Sequence, residues 1–172
     1  MFLQCLILFL LFLVLRLCAY ADTITPTQPL RDGDVLVSKG ASFALGFFSP
    51  EKTVVWVLNR DHPINDTSGV LSIDAGGNLV LYRRDSRLWS TNFSASSVKD
   101  MVAQLLDTGN LVLVQNDGKR VVWLGFDYPT DTMLPYMKLG LDRRTGLNRF
   151  LTSWKSPDDP GTGEYSCKME VG

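Results

Sequence analysis

Gly77-Asn78-Leu79-Val80-Leu81 returns as Gly109-Asn110-Leu111-Val112-Leu113, 32 residues further on. Each copy runs on to a tryptophan, Trp89 after the first and Trp123 after the second. Trp56 stands 33 residues before Trp89, in Val54-Val55-Trp56, which reappears as Val121-Val122-Trp123. Self-similarity at a period near 33 marks a repeat architecture, in which each unit is one supersecondary piece. A helical unit would need apolar periodicity of about 3.6 residues. These units instead carry short β-branched runs closed by Gly, Asn and Asp. Each therefore predicts a small antiparallel sheet, with Gly-Asn as the turn into its strand.

Alternation along a strand assigns the faces. Leu79 and Leu81 point one way, as do Leu111 and Leu113, and these are the expected core. Asn78, Val80 and Tyr82 point the other way, as do Asn110, Val112 and Val114, giving a face on which a ligand can lie. Working outward, strands are expected at Val35–Ser38, Phe43–Phe48 and Val54–Leu58. One full unit is Val70–Ile73, Leu79–Arg83 and Arg87–Ser90, and the next is Val102–Leu106, Leu111–Gln115 and Val121–Leu124. Asp22 to Arg31 reads as an extended lead-in. After Trp123 the texture turns to loop chemistry in Phe126-Asp-Tyr-Pro-Thr-Asp-Thr132. Two apolar pieces, Asn148–Trp154 and Glu164–Val171, then flank Ser156-Pro-Asp-Asp-Pro-Gly161 and look like the first strands of a new unit.

The chain has 172 residues, 45% of them hydrophobic, and a formal net charge of −1. Near-balanced charge without a basic run gives no footprint for nucleic acid. Leu6 to Leu15 is an unbroken apolar run, and Ala19-Tyr20-Ala21 offers a small-x-small cleavage site before Asp22. That predicts a signal peptide over 1–21, the run being short of the roughly 20 residues a membrane span requires. The product is then secreted to the extracellular space, reaching the plasma membrane only if a longer product exists. Cleavage removes Cys5 and Cys18 and leaves Cys167, a free thiol or half of a bridge whose partner is missing. Asn65-Asp-Thr67 and Asn92-Phe-Ser94 are glycosylation acceptors in expected loops.

The residues of the mature chain resemble a known family, the bulb-type (monocot mannose-binding) lectin domain of plant S-locus glycoproteins and S-domain receptor-like kinases. The resemblance rests on Phe43-Ala-Leu-Gly-Phe-Phe-Ser-Pro50, Val54-Val-Trp-Val-Leu-Asn-Arg-Asp61, Gly77-Asn-Leu-Val-Leu81, Leu88-Trp-Ser-Thr-Asn92, Phe126-Asp-Tyr-Pro-Thr-Asp-Thr132 and Leu151-Thr-Ser-Trp154. It implies an all-β fold, a type II β-prism of three antiparallel four-stranded sheets with pseudo-threefold symmetry and the three tryptophans turned inward. Only Glu51-Lys-Thr53 separates Pro50 from Val54, where the family has a longer segment with another strand. Either the first sheet is one strand short or the chain is a shortened product. The lectin domain is expected over 22–140, with 141–172 the incomplete start of a following lectin-like S-locus-glycoprotein domain. In full-length members further modules, a membrane span and a Ser/Thr kinase follow, and none of these is expected within this chain.

The family's sugar motif, Gln-x-Asp-x-Asn-x-Val-x-Tyr, sets polar groups and a valine at every second residue of one strand. In the first copy Asn78, Val80 and Tyr82 match, Asp74 stands at the Gln position and Gly76 at the Asp position. In the second copy only Asn110 and Val112 match, because Leu106, Thr108 and Val114 fill the other places. Asp107 is one residue out of phase and faces the other side. Each hydrogen bond lost to a sugar hydroxyl is worth on the order of 1 kcal/mol, so a weak or degenerate mannose site is expected. The same residues have plainer readings. Asn78 and Asn110 suit turns that satisfy local backbone groups, Tyr82 suits an amphipathic surface, and the tryptophans suit a core.

His62 lies in a polar loop with no cysteine or second histidine to complete a metal site. Asp127, Asp131, Asp158 and Asp159 sit among Pro and Gly and read as turn and capping residues. No activated nucleophile, acid–base pair or phosphate loop is visible, so no catalytic residue and no cofactor are expected. The expected function is a secreted, non-catalytic recognition module. Its partner is a mannose-type glycan or a cell-surface protein, including a receptor-kinase ectodomain or a second copy of itself. A protein-binding or decoy fragment without sugar binding is the alternative.

Overall fold

The computed structural model describes residues 21–48, 54–92, 100–115 and 120–169. The expected signal peptide up to Tyr20, Glu51-Lys-Thr53 and the end of the chain after Met169 lie outside the described residues. Four short strands come first: β1 (Thr23–Ile24), β2 (Leu30–Arg31), β3 (Val35–Val37) and β4 (Ala44–Gly46). The first repeat is the meander β5 (Gly69–Ile73), β6 (Leu79–Arg83) and β7 (Ser86–Ser90). The second is β8 (Met101–Leu105), β9 (Leu111–Gln115) and β10 (Val121–Leu124), followed by a single 3-10 turn at Gly125–Asp127. Two hairpins end the described chain: β11 (Gly140–Leu141) with β12 (Asn148–Arg149), and β13 (Leu151–Ser156) with β14 (Asp159–Cys167).

The repeat seen in the letters is a repeat of registers. Leu81 pairs with Leu71 and Leu79 with Ile73, while Leu113 pairs with Ala103 and Leu111 with Leu105. Each outer strand slips by one residue just before its tryptophan, so Trp89 lies opposite Leu81 and Trp123 opposite Leu113. Such a bulge bends the strand and re-aims the side chain that follows it. Leu79, Leu81, Leu111 and Leu113 are all buried, between 0 and 3% exposed. Burying each contributes roughly 1.5–3 kcal/mol. The tryptophans do come together: Trp123 lies 6.3 Å from Trp56 and 5.7 Å from Trp89, ring centre to ring centre, tilted and edge-on respectively.

Both repeats are completed by the lead-in. β1 pairs with β8 and β2 with β5, so each meander becomes a four-stranded sheet, β1-β8-β9-β10 and β2-β5-β6-β7. An unpaired edge of backbone donors is a liability, and two residues of lead-in cover part of each. This role was not visible in a polar, proline-containing stretch. Where the third four-stranded sheet was expected, the described ladder is the hairpin β3-β4 alone. Its turn is held by the buried Ser38 hydroxyl, which accepts from the amides of Ser42 and Phe43, both at 3.2 Å.

Val54–Leu58, expected as a strand, is not one. It has no described ladder partner, and its fixed points are side chains. Val57 is buried, and the Trp56 indole donates to the Tyr128 carbonyl at 2.7 Å. The separator expected over 156–161 is also shorter than read. β13 ends at Ser156 and β14 starts at Asp159, so only Pro157 and Asp158 turn the chain. That hairpin is fastened to the loop after Trp56. The Arg60 guanidinium donates to the carbonyls of Pro160, Thr152, Ser153 and Gly161 at 2.7–3.2 Å. Asp61 accepts from the Thr162 amide and hydroxyl at 2.7 and 2.8 Å.

Candidate functional site

The first copy of the motif begins in the turn between β5 and β6. The Asp74 amide donates to the Asn78 carbonyl and the Gly77 amide to the Asp74 carbonyl, each at 2.9 Å. Asp74 Oδ1 accepts from the amides of Gly76 and Asn78, also at 2.9 Å. Gly77 has φ +80°, a left-handed conformation that a side chain would oppose. The second copy repeats the frame: the Leu106 amide meets the Asn110 carbonyl, the Gly109 amide meets the Leu106 carbonyl, and Gly109 has φ +85°. Leu106 cannot do what Asp74 does, and the Thr108 hydroxyl accepts the Asn110 amide instead, at 3.4 Å.

Both motif asparagines reach the end of the neighbouring strand. Asn78 Oδ1 accepts from the Thr91 hydroxyl at 2.9 Å, and Asn110 Oδ1 accepts from the Phe126 amide at 3.0 Å. Asn110 is buried and Asn78 half-buried. Val80 and Val112 are buried as well, at 0 and 3% exposure. Tyr82 is half-buried, opposite Val70 on β5 and Arg87 on β7. Asp74, Asn78, Val80 and Tyr82 therefore share one turn and one strand, while Asn110 and Val112 belong to the other sheet. Asp107, the out-of-phase residue, accepts from the Gly40 amide at 2.5 Å and ties the second turn to the β3-β4 hairpin.

The Gly76 position is closely bounded. A Cβ there would stand 3.2 Å from Asp74 Oδ1 and 3.6 Å from Asn78 Nδ2. A side chain at position 76 would thus crowd the Asp74 carboxylate that caps the turn. Asn78 and Tyr82, both half-buried, form the polar part of this face, beside a valine with no exposed surface.

The glycosylation candidates Asn65 and Asn92 are both exposed. Asn92 has φ +49° and accepts weakly from Arg87 at 3.3 Å. Next to Asn65, Asp66 takes the Ser68 hydroxyl and the guanidinium groups of Arg83 and Arg84 at 3.2 and 3.5 Å. The Ser68 hydroxyl and amide, and then Arg83, hold its carboxyl below the ordinary range. Cys167 is an exposed free thiol.

A second polar site escaped the sequence reading. Asp127, expected as a turn residue, makes an ion pair with Arg149 at 2.7 Å, the arginine side chain only 12% exposed. Beside it Tyr128 stacks on Trp123 with ring centres 5.7 Å apart and planes 13° apart. Asp127, Tyr128, Arg149 and the β11–β12 turn line an open cleft of about 490 Å³. In that turn Asp142 accepts the Arg144 amide at 2.9 Å, which is the leading cause holding its carboxyl below the ordinary range. The sequence signal was the Asp127–Arg149 pair of opposite charges, which nothing in the repeat pattern connects.

Residues 53–155 match the profile of the D-mannose binding lectin family. The chain belongs to that family. Among curated relatives it is similar to the G-type lectin S-receptor-like serine/threonine-protein kinase RKS1 of Arabidopsis thaliana, 46% identical across 92% of this chain and 22% of that protein. It is also similar to the S-locus-specific glycoprotein S6 of Brassica oleracea, 43% identical across 87% of this chain and 39% of the glycoprotein. The chain thus spans well under half the length of either relative. Among solved structures, a monomeric monocot mannose-binding lectin from Gastrodia elata aligns with 61% of this chain and 96% of its own, at 18% identity and a TM-score of 0.49. Among the described residues no helix is long and apolar enough to cross a membrane.

Proposed function

We propose that this lectin-family chain is a secreted, non-catalytic recognition module that takes mannose-type glycans weakly, at the first repeat. The observation that carries the proposal is the turn-and-strand unit Asp74–Tyr82. It holds the half-buried Asn78 and Tyr82 on one turn and one strand, within a chain of the D-mannose binding lectin family. The second repeat contributes less, since Asn110 and Val112 are both buried. We read the architecture as a β-prism whose third face is the β3-β4 hairpin with the Trp56 segment. We also read 22–140 as the lectin domain and 141–172 as the beginning of a following lectin-like domain. The relatives make a place in a plant cell-surface recognition ectodomain the natural setting, with the chain in the extracellular space.

One observation favours a second reading, in which the module binds protein and not sugar. Both motif asparagines already bond within the chain and both motif valines are buried, so the face has few groups left for hydroxyls. A receptor ectodomain or a second copy of the chain is then the partner. A glycan array probed with the secreted chain separates the readings. Retention on mannose-terminated glycans supports the lectin reading. Silence across the array, from protein that melts cooperatively, supports the protein-binding one.

A further inference from the structure

The cleft beside Tyr128 has the construction of a ligand site, and no motif of the repeats lies in it. Tyr128 is 48% exposed, and its ring is packed on one side. One face lies on Trp123, which Trp56 and Trp89 in turn support. Its backbone is held at both ends, the amide donating to the Gly125 carbonyl at 2.9 Å and the carbonyl accepting from the Trp56 indole at 2.7 Å. An exposed aromatic fixed before a ligand arrives avoids the ordering cost that weakens a mobile one. Tyr128 is half exposed and lines the cleft.

Around the ring the charges cancel. Asp127 and Asp142 are opposed by Arg144 and Arg149, and Asp127 and Arg149 are already joined at 2.7 Å. Balanced charge disfavours phosphates and other strong anions, which would need an excess of arginine. Asp142 already takes the Arg144 amide and the Thr145 side chain, and the Thr145 hydroxyl accepts the Leu147 amide at 3.3 Å. The Arg144 guanidinium and the remaining carboxylate lone pairs are therefore what this rim offers to sugar hydroxyls. The apolar face of a pyranose ring matches the tyrosine. At about 490 Å³ the cleft is within the usual range for small-ligand sites.

We propose that this cleft is a second glycan-binding site, taking a neutral pyranose of an oligosaccharide with Tyr128 as stacking platform and Asp142, Arg144 and Thr145 as polar rim. It rests on the reading of the chain as a glycan binder but not on the Asp74–Tyr82 strand. It would let one domain hold two points of an extended glycan, and two weak sites joined in this way gain avidity without new contacts.

The test is an NMR titration of the secreted chain with mannotriose, cellotriose, galactotriose and trigalacturonate, followed at Tyr128, Thr145, Asn78 and Tyr82. The expected result is a saturable shift at Tyr128 and Thr145 with at least one neutral trisaccharide. Tyr128→Leu should weaken that binding on the order of tenfold, the size of one good aromatic contact. Arg144→Ala, on an exposed turn, should weaken it several-fold at unchanged melting temperature, so a folding defect in Tyr128→Leu cannot mimic the result. Shifts confined to Asn78 and Tyr82 would overturn the cleft and leave the lectin reading intact. Tighter binding of trigalacturonate than of every neutral sugar would overturn the neutral class. Silence at all four residues would sink both sites together.

Discussion

Asn78 Oδ1 accepts a hydrogen bond from the Thr91 hydroxyl at 2.9 Å, and 32 residues later Asn110 Oδ1 accepts from the Phe126 amide at 3.0 Å. The two asparagines hold the exits of β7 and β10 against the entrances of β6 and β9. They differ in what they leave behind when removed. Asn110→Ala strands a backbone N–H beside a buried site, at a cost of about 1–3 kcal/mol. Asn78→Ala leaves the Thr91 hydroxyl on a half-buried face that water can reach, and losing that bond costs about 0.5–1.5 kcal/mol. Urea unfolding of the two variants should place Asn110→Ala lower. The reverse order would mean that the first turn, not the second, is the structural one.

Arg60 is the fastening between the repeats and the last hairpin. Its guanidinium meets four carbonyls of β13 and β14 and no carboxylate among them. A planar fork of donors suits that arrangement, and a lysine point charge does not. Arg60→Met, which keeps the apolar stem, should cost about 2–3 kcal/mol, near the upper value of a single charged hydrogen bond because freed carbonyls turn to water. Arg60→Lys should recover little of it. Native-state hydrogen exchange should show faster exchange confined to β13 and β14. Uniform acceleration across β5–β10 would show that the hairpin is not a separate unit.

Acid should loosen both this fastening and the first repeat. Thr162 holds the Asp61 carboxyl below the ordinary value of 3.8, and Ser68 does so for Asp66. A carboxyl whose folded value is depressed adds stability that is complete above its unfolded value. That stability is lost as pH falls through the folded one. The urea midpoint should therefore be flat near neutrality and fall between about pH 5 and about pH 2. Asp61→Asn should be less stable at neutral pH and show a shallower acid limb. A variant whose acid limb parallels the parent's would remove Asp61 from the explanation.

The repeat made the centre of the fold legible, and the reason is local. Identical pentapeptides fix strand and turn at once and put Leu79, Leu81, Leu111 and Leu113 on one buried face, but period two did not show that Val80 and Val112 on the other face are buried as well. The pairing of β1 and β2 with distant sheets was not legible, because a two-residue strand has no periodicity to read. Val54–Leu58 misled for the opposite reason. Its β-branched letters copy those of Val121–Leu124, yet it has no described ladder partner and its tryptophan is held by a carbonyl 72 residues away. On the site, spacing placed Asp74, Asn78 and Tyr82 along one turn and strand, which is where they lie. It could not tell that Asp74 would fold back onto the amides of its own turn, since an Asx-turn and an outward acceptor look alike in sequence.

That turn also suggests how to strengthen the sugar site. In the parent chain, methyl-mannoside should bind at millimolar Kd or weaker, about −4 kcal/mol or less favourable, with shifts at Asn78 and Tyr82 and none at Asn110. Restoring the family motif requires two changes together. Gly76→Asp alone sets a Cβ 3.2 Å from Asp74 Oδ1 and two carboxylates side by side, so it should destabilise the turn and leave binding unimproved. Asp74→Gln alone removes the carboxylate that accepts the Gly76 and Asn78 amides. The double variant Asp74→Gln with Gly76→Asp relieves the charge conflict and adds one donor and one acceptor on the sugar-facing side. Each new hydrogen bond is worth roughly 1 kcal/mol, so Kd should fall by about tenfold or more relative to the parent. The fully buried Val80 sets the limit, because a ring that cannot touch it gains only polar contacts. An unchanged Kd in a double variant that still melts cooperatively would show that this face cannot seat a hexose, leaving protein contacts as its use.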